Sequence, residues 1–573
     1  MSRKAEVRRT AITLHTTAAV TALAVLAPTL APGYVLSYDM VFTPRLPLTA
    51  DAMGLGTEAP RAVPQDALVA LASLAVRGDL LQKVALVAAV YLAVLGAARL
   101  VPAERWLTPI VAGVAYGWNA YLAERLFLGH WSLLLAYAAL PWIVRAALAA
   151  RRDGPVAPIV GWSALAAITP TGGVLALVTT AVALAWPGRG SGARRWWAIP
   201  AVALLNAPWL VAGALASSAA RSDPAGVDVF VARAENWSGP VGTLLGLGGV
   251  WNRQVVPASR ESLLAPVLTL VVLAGAAWGF TLLRRTWATG DAAAVVALAG
   301  GGLALALLGV APGGPAVLRW LVETVPGAGL FRDGHKFLAP FALLLAVAFA
   351  LGAERLADAV AARSRVLPAV VLAAAALFPV ISLPDLAWGG LGRLVPVQYP
   401  ADWARVATHL ARADGDLVTL PYTAFRAYGW NGRRTSLDPA DRYLPVSVVV
   451  DDSLAVAGPD GRVTVVAGES RRADEVRRCV ARGCPLPSIG VRWALVETDQ
   501  PAAADETAGV LTAMRRVYTG ETLVLYEASG AVPDHPRPPS WHLPVLVAAY
   551  IAAAGSLFVN GVASALRRRR TGW

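Results

Sequence analysis

Charged residues are scarce in this chain of 573 residues, at 15% against the roughly 25% that soluble globular proteins contain. The shortage is uneven, because residues 386–540 hold 35 charged residues while the other 418 residues hold only 52. Together with a hydrophobic content of 56%, this excludes a soluble enzyme and a disordered chain. The positive net charge of +13 lies outside 386–540, between apolar runs, so it does not indicate nucleic-acid binding. We expect a membrane-embedded body with one soluble module.

Cysteine is also scarce, which excludes a scaffold stabilised by several disulfides. The only two, Cys479 and Cys484, lie in the soluble module and enclose a short loop. Such a pair forms a disulfide in an oxidising compartment, and a pair of free thiols is the alternative. A zinc site needs more ligands than the neighbouring sequence offers. We therefore predict a disulfide between these two residues.

Long hydrophobic runs are abundant, and a membrane-spanning helix needs about 20 mostly apolar residues. Two neighbouring runs, 156–170 and 172–187, are short, but one helix across both would be about 46 Å long, so we count two spans. We predict an α-helical polytopic membrane protein with about twelve spans, at 11–31, 80–100, 107–123, 131–149, 156–170, 172–187, 196–217, 262–283, 291–311, 337–353, 366–385 and 541–566.

The basic residues between the spans predict the orientation of the chain. The segments before the first span and after the last are both basic, and an even number of spans places them on the same side of the membrane. The short loops assigned to that side are basic as well, so we expect both termini in the cytoplasm and the first apolar segment to be a retained anchor. The outward-facing loops are then 32–79, 124–130, 218–261 and 312–336.

The domain organisation follows from the spans. Residues 1–385 form the transmembrane body, 386–540 the extracytoplasmic module, and 541–573 a last span with a basic cytoplasmic tail. Apolar runs of strand length and amphipathic helical stretches alternate in the module, which predicts a small α/β or α+β domain. The predicted strands are at 416–422, 446–450, 462–468, 491–497 and 521–527, and the predicted helices at 398–415, 471–482 and 504–516.

An isolated acid follows the first predicted span, in the apolar stretch YDMVFTPR. A carboxylate such as Asp39, held close to the membrane and partly desolvated, has the chemistry of a general base. The alternative is an aspartate that caps a loop and has no catalytic role. We select Asp39 as the candidate catalytic residue.

Two further clusters of ionisable residues lie at outer ends of spans. The stretch NAYLAERLFLGHW at 119–131 places Glu124, Arg125 and His130 close together, where an interfacial aromatic belt is the alternative. The stretch FRDGHKF at 331–337 is unusually cationic for an outer loop, although a snorkelling collar is the alternative. Such cations suit a lipid phosphate or pyrophosphate. The two stretches together supply the candidate substrate-binding and lipid-phosphate-binding residues Glu124, Arg125, His130, Arg332, Asp333, His335 and Lys336.

These three motifs, on a polytopic body with a soluble module near the C-terminus, resemble the GT-C superfamily of polyprenyl-phosphate-sugar glycosyltransferases. The chain is most similar to actinobacterial arabinofuranosyltransferase-like membrane proteins. The resemblance implies transfer of a sugar from a polyprenyl-phosphate-linked donor to a cell-envelope glycan or glycolipid acceptor on the outer face, with Asp39 as the base. The commonest family pattern has an adjacent pair of acids where this sequence has one, so a divalent metal is left open as cofactor and no metal ligand is assigned.

Two other classes of function are compatible with the composition. One is a non-catalytic membrane scaffold, or a glycan-binding assembly protein, whose outer module binds a partner. The other is a lipid or glycan transporter, which should have charged residues within its spans and an internal repeat. The sequence has few intramembrane charges and no repeat, so we rank the transporter third.

Overall fold

A computed structural model describes residues 3–56, 60, 62–187, 193–216, 222–457, 463–500, 509–534 and 538–570. The chain is mostly helical, with a small mixed β-sheet module at 416–528. Seven helices within the described residues are long and apolar enough to cross a membrane. Their spans are Arg8–Leu30, Gly78–Leu100, Trp131–Ala150, Ala265–Thr286, Thr289–Leu308, Gly334–Ala361 and His542–Ala563.

Nine of the twelve predicted spans have a counterpart among the described residues that is long and apolar enough to cross a membrane, seven as single helices and two as bent pairs. The bent pairs are Arg195–Leu205 with Ala207–Ala216, at 43°, and Leu367–Ser382 with Pro384–Gly392, at 72°. The remaining three predicted spans are helical but too short. A helix of ten residues, such as Ala157–Ala166, is about 15 Å long, half of the hydrocarbon thickness.

Asn119 is the physical reason that the predicted span 107–123 breaks. Its side-chain oxygen accepts a hydrogen bond from the backbone N–H of Leu122, which caps a new helix. Its side-chain amide donates to the carbonyl of Tyr116 at 2.8 Å, which closes the helix before it. One polar residue in an apolar run thus satisfies backbone groups on both sides of the break.

The helices of the body are numbered here in chain order. They are α1 Arg3–Leu26, α2 Ala50–Met53, α3 Gln65–Ser73, α4 Gly78–Leu100, α5 Thr108–Gly117, α6 Ala120–Phe127, α7 Trp131–Ala150, α8 Ala157–Ala166, α9 Pro170–Ala185, α10 Ala198–Leu205, α11 Ala207–Ala216, α12 Ala225–Val229, α13 Gly239–Leu245, α14 Ala265–Thr286, α15 Thr289–Leu308, α16 Gly314–Thr324, α17 Ala339–Ala361, α18 Leu367–Ser382 and α19 Ala387–Gly392. Short 3-10 helices include Arg253–Val255, Ala258–Glu261, Ala328–Phe331 and Gly334–Leu338.

The core of the body is formed by α4, α5, α7 and α17, which pack on one another with largely buried apolar side chains. At one end of this bundle, the Gln82 side chain hydrogen-bonds the backbone of Val35. At the opposite end, Arg105 pairs with Asp358 at 2.7 Å. We call the first the module end, because the module packs there. The candidate site residues all lie towards it.

The module contains helices α20 Ala401–His409, α21 Ala440–Tyr443 and α22 Arg471–Arg482, and the chain ends with α23 His542–Arg570. Its main sheet has the strand order β10-β11-β9-β3-β6, with β3 parallel to β9 and β6 and the other pairs antiparallel. The strands of the whole chain are β1 Tyr34–Val35, β2 Pro396–Val397, β3 Asp416–Leu420, β4 Phe425–Ala427, β5 Thr435–Leu437, β6 Ser447–Val448, β7 Leu454–Ala457, β8 Val463–Val466, β9 Val491–Glu497, β10 Met514–Thr519 and β11 Leu523–Ala528.

Helix α22 shows how local sequence defines the module's elements. Ser470 caps its first turn by accepting from the Ala473 N–H, and Gly483 ends it in the left-handed conformation at φ 66°. In the structure Cys479 and Cys484 are joined by a disulfide at this end. The predicted helix 504–516 lies partly outside the described residues, and its last residues are instead the start of β10, because Met514 pairs with Ala528 of β11.

Candidate functional site

The turn between α6 and α7 brings the second candidate cluster against the loop that contains Asp39. Gly129 has φ 78° and lies so close to Met40 that any side chain there would collide with the Met40 backbone. The backbone N–H of Asp39 donates to the carbonyl of Leu128 at 3.1 Å. The glycine thus permits the close approach that places His130 beside Asp39.

Arg125 is the centre of the site, and its side chain is fully buried. Its guanidinium makes a two-pronged ion pair with Asp333, with N–O distances of 2.7 and 2.8 Å. It also donates to Nδ1 of His335, at 3.1 Å from Nε and 2.7 Å from Nη2, and to Nδ1 of His130 at 3.2 Å. All five N–H groups of an arginine are therefore used within the protein. This pairing compensates for burying the charge.

The arginine also determines where the histidine protons lie. A guanidinium can only donate, so Nδ1 of His130 accepts and its neutral ring carries the hydrogen on Nε2. That Nε2 atom lies 3.0 Å from Oδ2 of Asp39 and donates to it. By the same argument, Nε2 of His335 donates to the carbonyl of Leu247 at 3.2 Å. His130 is thus a neutral donor held between Arg125 and Asp39.

The Asp39 carboxylate is the accessible end of this network, with 44% of its side chain exposed. Partial burial raises the pKa of the Asp39 carboxyl, but the hydrogen bond from His130 and the nearby charges of Lys336 and Arg442 lower it below its usual value. Burial lowers the pKa of His130 against the opposing effect of Asp39. At neutral pH the pair is therefore an ionised carboxylate and a neutral imidazole.

The module holds the Asp39 loop from the other side. The backbone N–H of Tyr38 donates to the Thr435 carbonyl, and the Tyr38 carbonyl accepts from the Leu437 N–H, both at 2.8 Å. Tyr38 has φ 45°, in the left-handed region that is unfavourable for a residue with a side chain. The hairpin of β4 and β5 thus fixes a strained residue immediately before Asp39.

Glu124 and His335 extend the network away from Asp39. Oε2 of Glu124 lies 3.5 Å from Nε2 of His335 and accepts from the Val250 N–H at 3.0 Å. Beside it, Glu235 pairs with Arg260 at 2.9 Å. Neither residue of this second pair could be selected from the sequence, because each lies in the long loop 218–261 without a surrounding motif. Their only signal was an acid and a base within one outer loop.

The two remaining members of the predicted phosphate-binding set behave differently. Lys336 lies at the site, with its Nζ atom 3.9 Å from Asp333 and 27% of its side chain exposed. Arg332 points away: it lies over the Phe230 ring and faces Glu469 of the module at 3.9 Å. The structure therefore brings together seven of the eight predicted residues and places Arg332 outside the cluster. No group of three metal-ligating side chains is present among the described residues.

The arrangement of body and module is found in a known enzyme. Cryo-electron microscopy structures of the arabinofuranosyltransferase AftD from mycobacteria have a similar fold. One matches 93% of this chain and 40% of its own length, with 17% identity and a TM-score of 0.55. A structure of an AftD variant matches 93% and 42%, with 18% identity and a TM-score of 0.55. No protein-family model and no curated protein sequence matches the chain.

The likeness to AftD is one of fold. This chain spans less than half the length of AftD, and the identity is below that at which a shared activity follows from similarity. The fold itself is that of a multi-pass membrane protein with a small soluble module. The residues around Asp39 therefore carry the evidence for what the chain does.

Proposed function

We propose that the chain is a membrane glycosyltransferase, which moves a sugar from a polyprenyl-phosphate-linked donor to a cell-envelope glycan or glycolipid. The observation that supports this most directly is the Asp39 carboxylate, which is accessible, ionised and held by His130 at the module end. The fold shared with an arabinofuranosyltransferase supports the same class of reaction. It also makes arabinofuranose the first donor sugar to test.

In the proposed reaction, Asp39 accepts the proton of an acceptor hydroxyl as that oxygen attacks the anomeric carbon of the donor sugar. The bond from the anomeric carbon to the phosphate oxygen breaks, and its electron pair remains on the lipid phosphate. One displacement of this kind inverts the anomeric configuration. His130 acts by orienting the carboxylate and keeping it ionised, so it is a positioning residue.

The leaving phosphate gains negative charge as the bond breaks, and a cation placed there stabilises the transition state. Lys336 is the candidate for this role, because it is partly exposed and near enough to Asp39 to lower its pKa. Arg125 is fully buried and all its N–H groups are used, so it stabilises the site without contacting substrate. Arg332, which faces the module, is withdrawn from the proposed phosphate-binding set.

The proposed location is the cell membrane, with both termini cytoplasmic and the module outside. Helices α5 and α6 lead from the Arg105 end of the bundle to the Asp39 end, so this interrupted pair adds a tenth passage to the nine candidate spans and keeps the number even. The pairs Arg105–Asp358 and Arg151–Asp291 lie at the end of the bundle opposite the module, which supports this orientation under the positive-inside rule. The Asp39 site would then lie at the outer membrane boundary. A lipid-linked donor in the outer leaflet presents its phosphate at that level.

The test is transfer of radiolabelled arabinofuranose from its polyprenyl phosphate by the purified full-length chain. Asp39→Asn preserves the shape of the side chain and removes the base, so we expect transfer to fall by at least about 100-fold. The matched control is Asp228→Asn, which removes a carboxylate from an exposed pair with Arg319. It should leave transfer unchanged.

Full transfer by Asp39→Asn would falsify the assignment of Asp39 as the base. Absence of transfer by the wild-type chain with any polyprenyl-phosphate sugar would favour the non-catalytic scaffold instead. Both variants should elute and melt as the wild type does, since Asp39 is half exposed and contributes one hydrogen bond to the fold.

A further inference from the structure

A groove between α14 and α18, with α17 as its floor, opens beside the polar network but has apolar walls. Together with the open space at its mouth, the groove encloses about 730 Å³. The walls and floor include Leu268 and Val272 of α14, Phe349 of α17 and Phe378 of α18. A groove with such walls accommodates a hydrocarbon chain.

The helices on both sides of the groove face the bilayer. Helix α14 exposes Leu270 and Val271, and α18 exposes Leu377 and Ile381. Exposed apolar side chains on spanning helices contact lipid, so the groove opens laterally into the membrane. A ligand would enter it from the bilayer.

A buried cation lies at the polar end of the groove. Arg260 is 8% exposed and lines the groove, and its Nε atom pairs with Glu235. Its Nη2 group has no hydrogen-bond partner among the described residues, although a buried N–H group left unpaired is costly. The 3-10 helix that contains Arg260 is fixed by the Ser259 N–H, which donates to Asp385 at 2.8 Å. The guanidinium is thus prepositioned for an anion.

We propose that this groove binds an anionic phospholipid, with one acyl chain between α14 and α18 and its phosphate hydrogen-bonded to Nη2 of Arg260. Charge complementarity defines the head group, and the apolar walls define the chain. The site is separate from the proposed donor site. His335, Glu124 and Glu235 lie between Arg260 and the Arg125 cluster, so a phosphate at Arg260 does not place a sugar at Asp39.

The test is native mass spectrometry of the full-length chain in detergent, titrated with phosphatidylglycerol or with phosphatidylcholine. We expect the wild type to bind phosphatidylglycerol at least about tenfold more tightly, because phosphatidylcholine offers the same phosphate but its choline cation cancels the negative charge beside the guanidinium. Arg260→Gln should abolish this preference. The matched control is Arg253→Gln, since Arg253 lies in the same loop, is exposed and pairs only weakly with Glu261 at 3.4 Å.

A second variant separates loss of the site from loss of the fold. Val272→Trp fills the groove from a partly exposed position and leaves Arg260 and its ion pair unchanged, so it should weaken phosphatidylglycerol binding about tenfold without lowering the melting temperature. Equal binding of the two phospholipids by the wild type overturns the proposal, as does an unchanged preference in Arg260→Gln.

The same titration with polyprenyl phosphate tests the identity of the occupant. We expect phosphatidylglycerol to compete with it weakly, because the two lipids occupy different sites in this scheme. If Arg260→Gln removes polyprenyl phosphate binding and leaves phosphatidylglycerol binding intact, the phospholipid assignment is wrong. This readout requires no sugar transfer, so it is independent of the activity proposed for Asp39.

Discussion

Nε2 of His130 donates a hydrogen bond to Oδ2 of Asp39 across 3.0 Å, and the direction of that bond is imposed by Arg125 on the other side of the ring. An imidazole that accepts from an arginine must donate from its second nitrogen. The geometry therefore stabilises the ionised form of the carboxylate. Its pH dependence follows from this relationship.

The first prediction concerns that pH dependence. The folded pKa of Asp39 lies below its usual value, so the base is available down to mildly acidic pH, and transfer should decline only as pH falls through the lowered pKa. His130→Asn removes the ring while burial still raises the carboxyl pKa. The acid limb of the pH–rate profile should then move to higher pH by about one unit. An unshifted limb would show that His130 does not control Asp39.

The second prediction concerns the stability of the buried network. Arg125→Lys keeps the positive charge but loses the planar fork, so Asp333, His130 and His335 cannot all be satisfied. We expect a loss of about 3–5 kcal/mol, measured as a lower melting temperature in detergent. Arg319→Lys, in the exposed pair with Asp228, is the control and should melt close to the wild type. Equal melting of both variants would contradict the central role of Arg125.

The third prediction concerns the contact between the module and the Asp39 loop. Leu437→Pro removes the one N–H that donates to the Tyr38 carbonyl, and that N–H is not used in the pairing of β4 with β5. Displacement of the loop should reduce transfer by about 100-fold. Leu437→Ala retains the N–H and should keep most of the activity. If the two variants are equally active, the module does not position Asp39.

The fourth prediction concerns topology. Reporter fusions at residues 190 and 460 lie in the loop after α9 and in the module, outside the described residues. They should report opposite sides of the membrane, with 190 cytoplasmic. The helices α8 and α9 are too short to span an unthinned bilayer, but as a pair they return the chain to the same side, so the expectation does not depend on whether they cross. Matching signals from the two fusions would refute the orientation.

Hydropathy predicted where helices would be found, since every predicted span has a helical counterpart, but it could not distinguish a helix that crosses from one that is interrupted. The break at Asn119 depends on side-chain hydrogen bonds to both neighbouring helices. Hydropathy averaged over a window of about 20 residues does not detect a single polar residue of this kind. The excess of predicted spans has this local cause, together with the short lengths of α8 and α9.

The convergence of Asp39, the turn 124–130 and the segment 332–336 could be predicted from the sequence, because all three lie at outer ends of predicted spans. The structure places Arg332 of that segment outside the cluster, facing the module. The strands β4 and β5 were not expected, since three residues are too few to show a strand period. Glu235 and Arg260 were missed for a different reason. Their relationship is purely tertiary, with 24 residues between them and no shared motif.

The five hydrogen bonds that Arg125 donates limit how the sequences of related chains can diverge. Its partners His130, Asp333 and His335 come from two distant segments, and none can be replaced without leaving a charged N–H group unsatisfied in the interior. A single substitution at any of these positions is therefore expected to destabilise the protein. A lineage that abandons the reaction should therefore lose the set together, so partial sets should be rare among homologous chains.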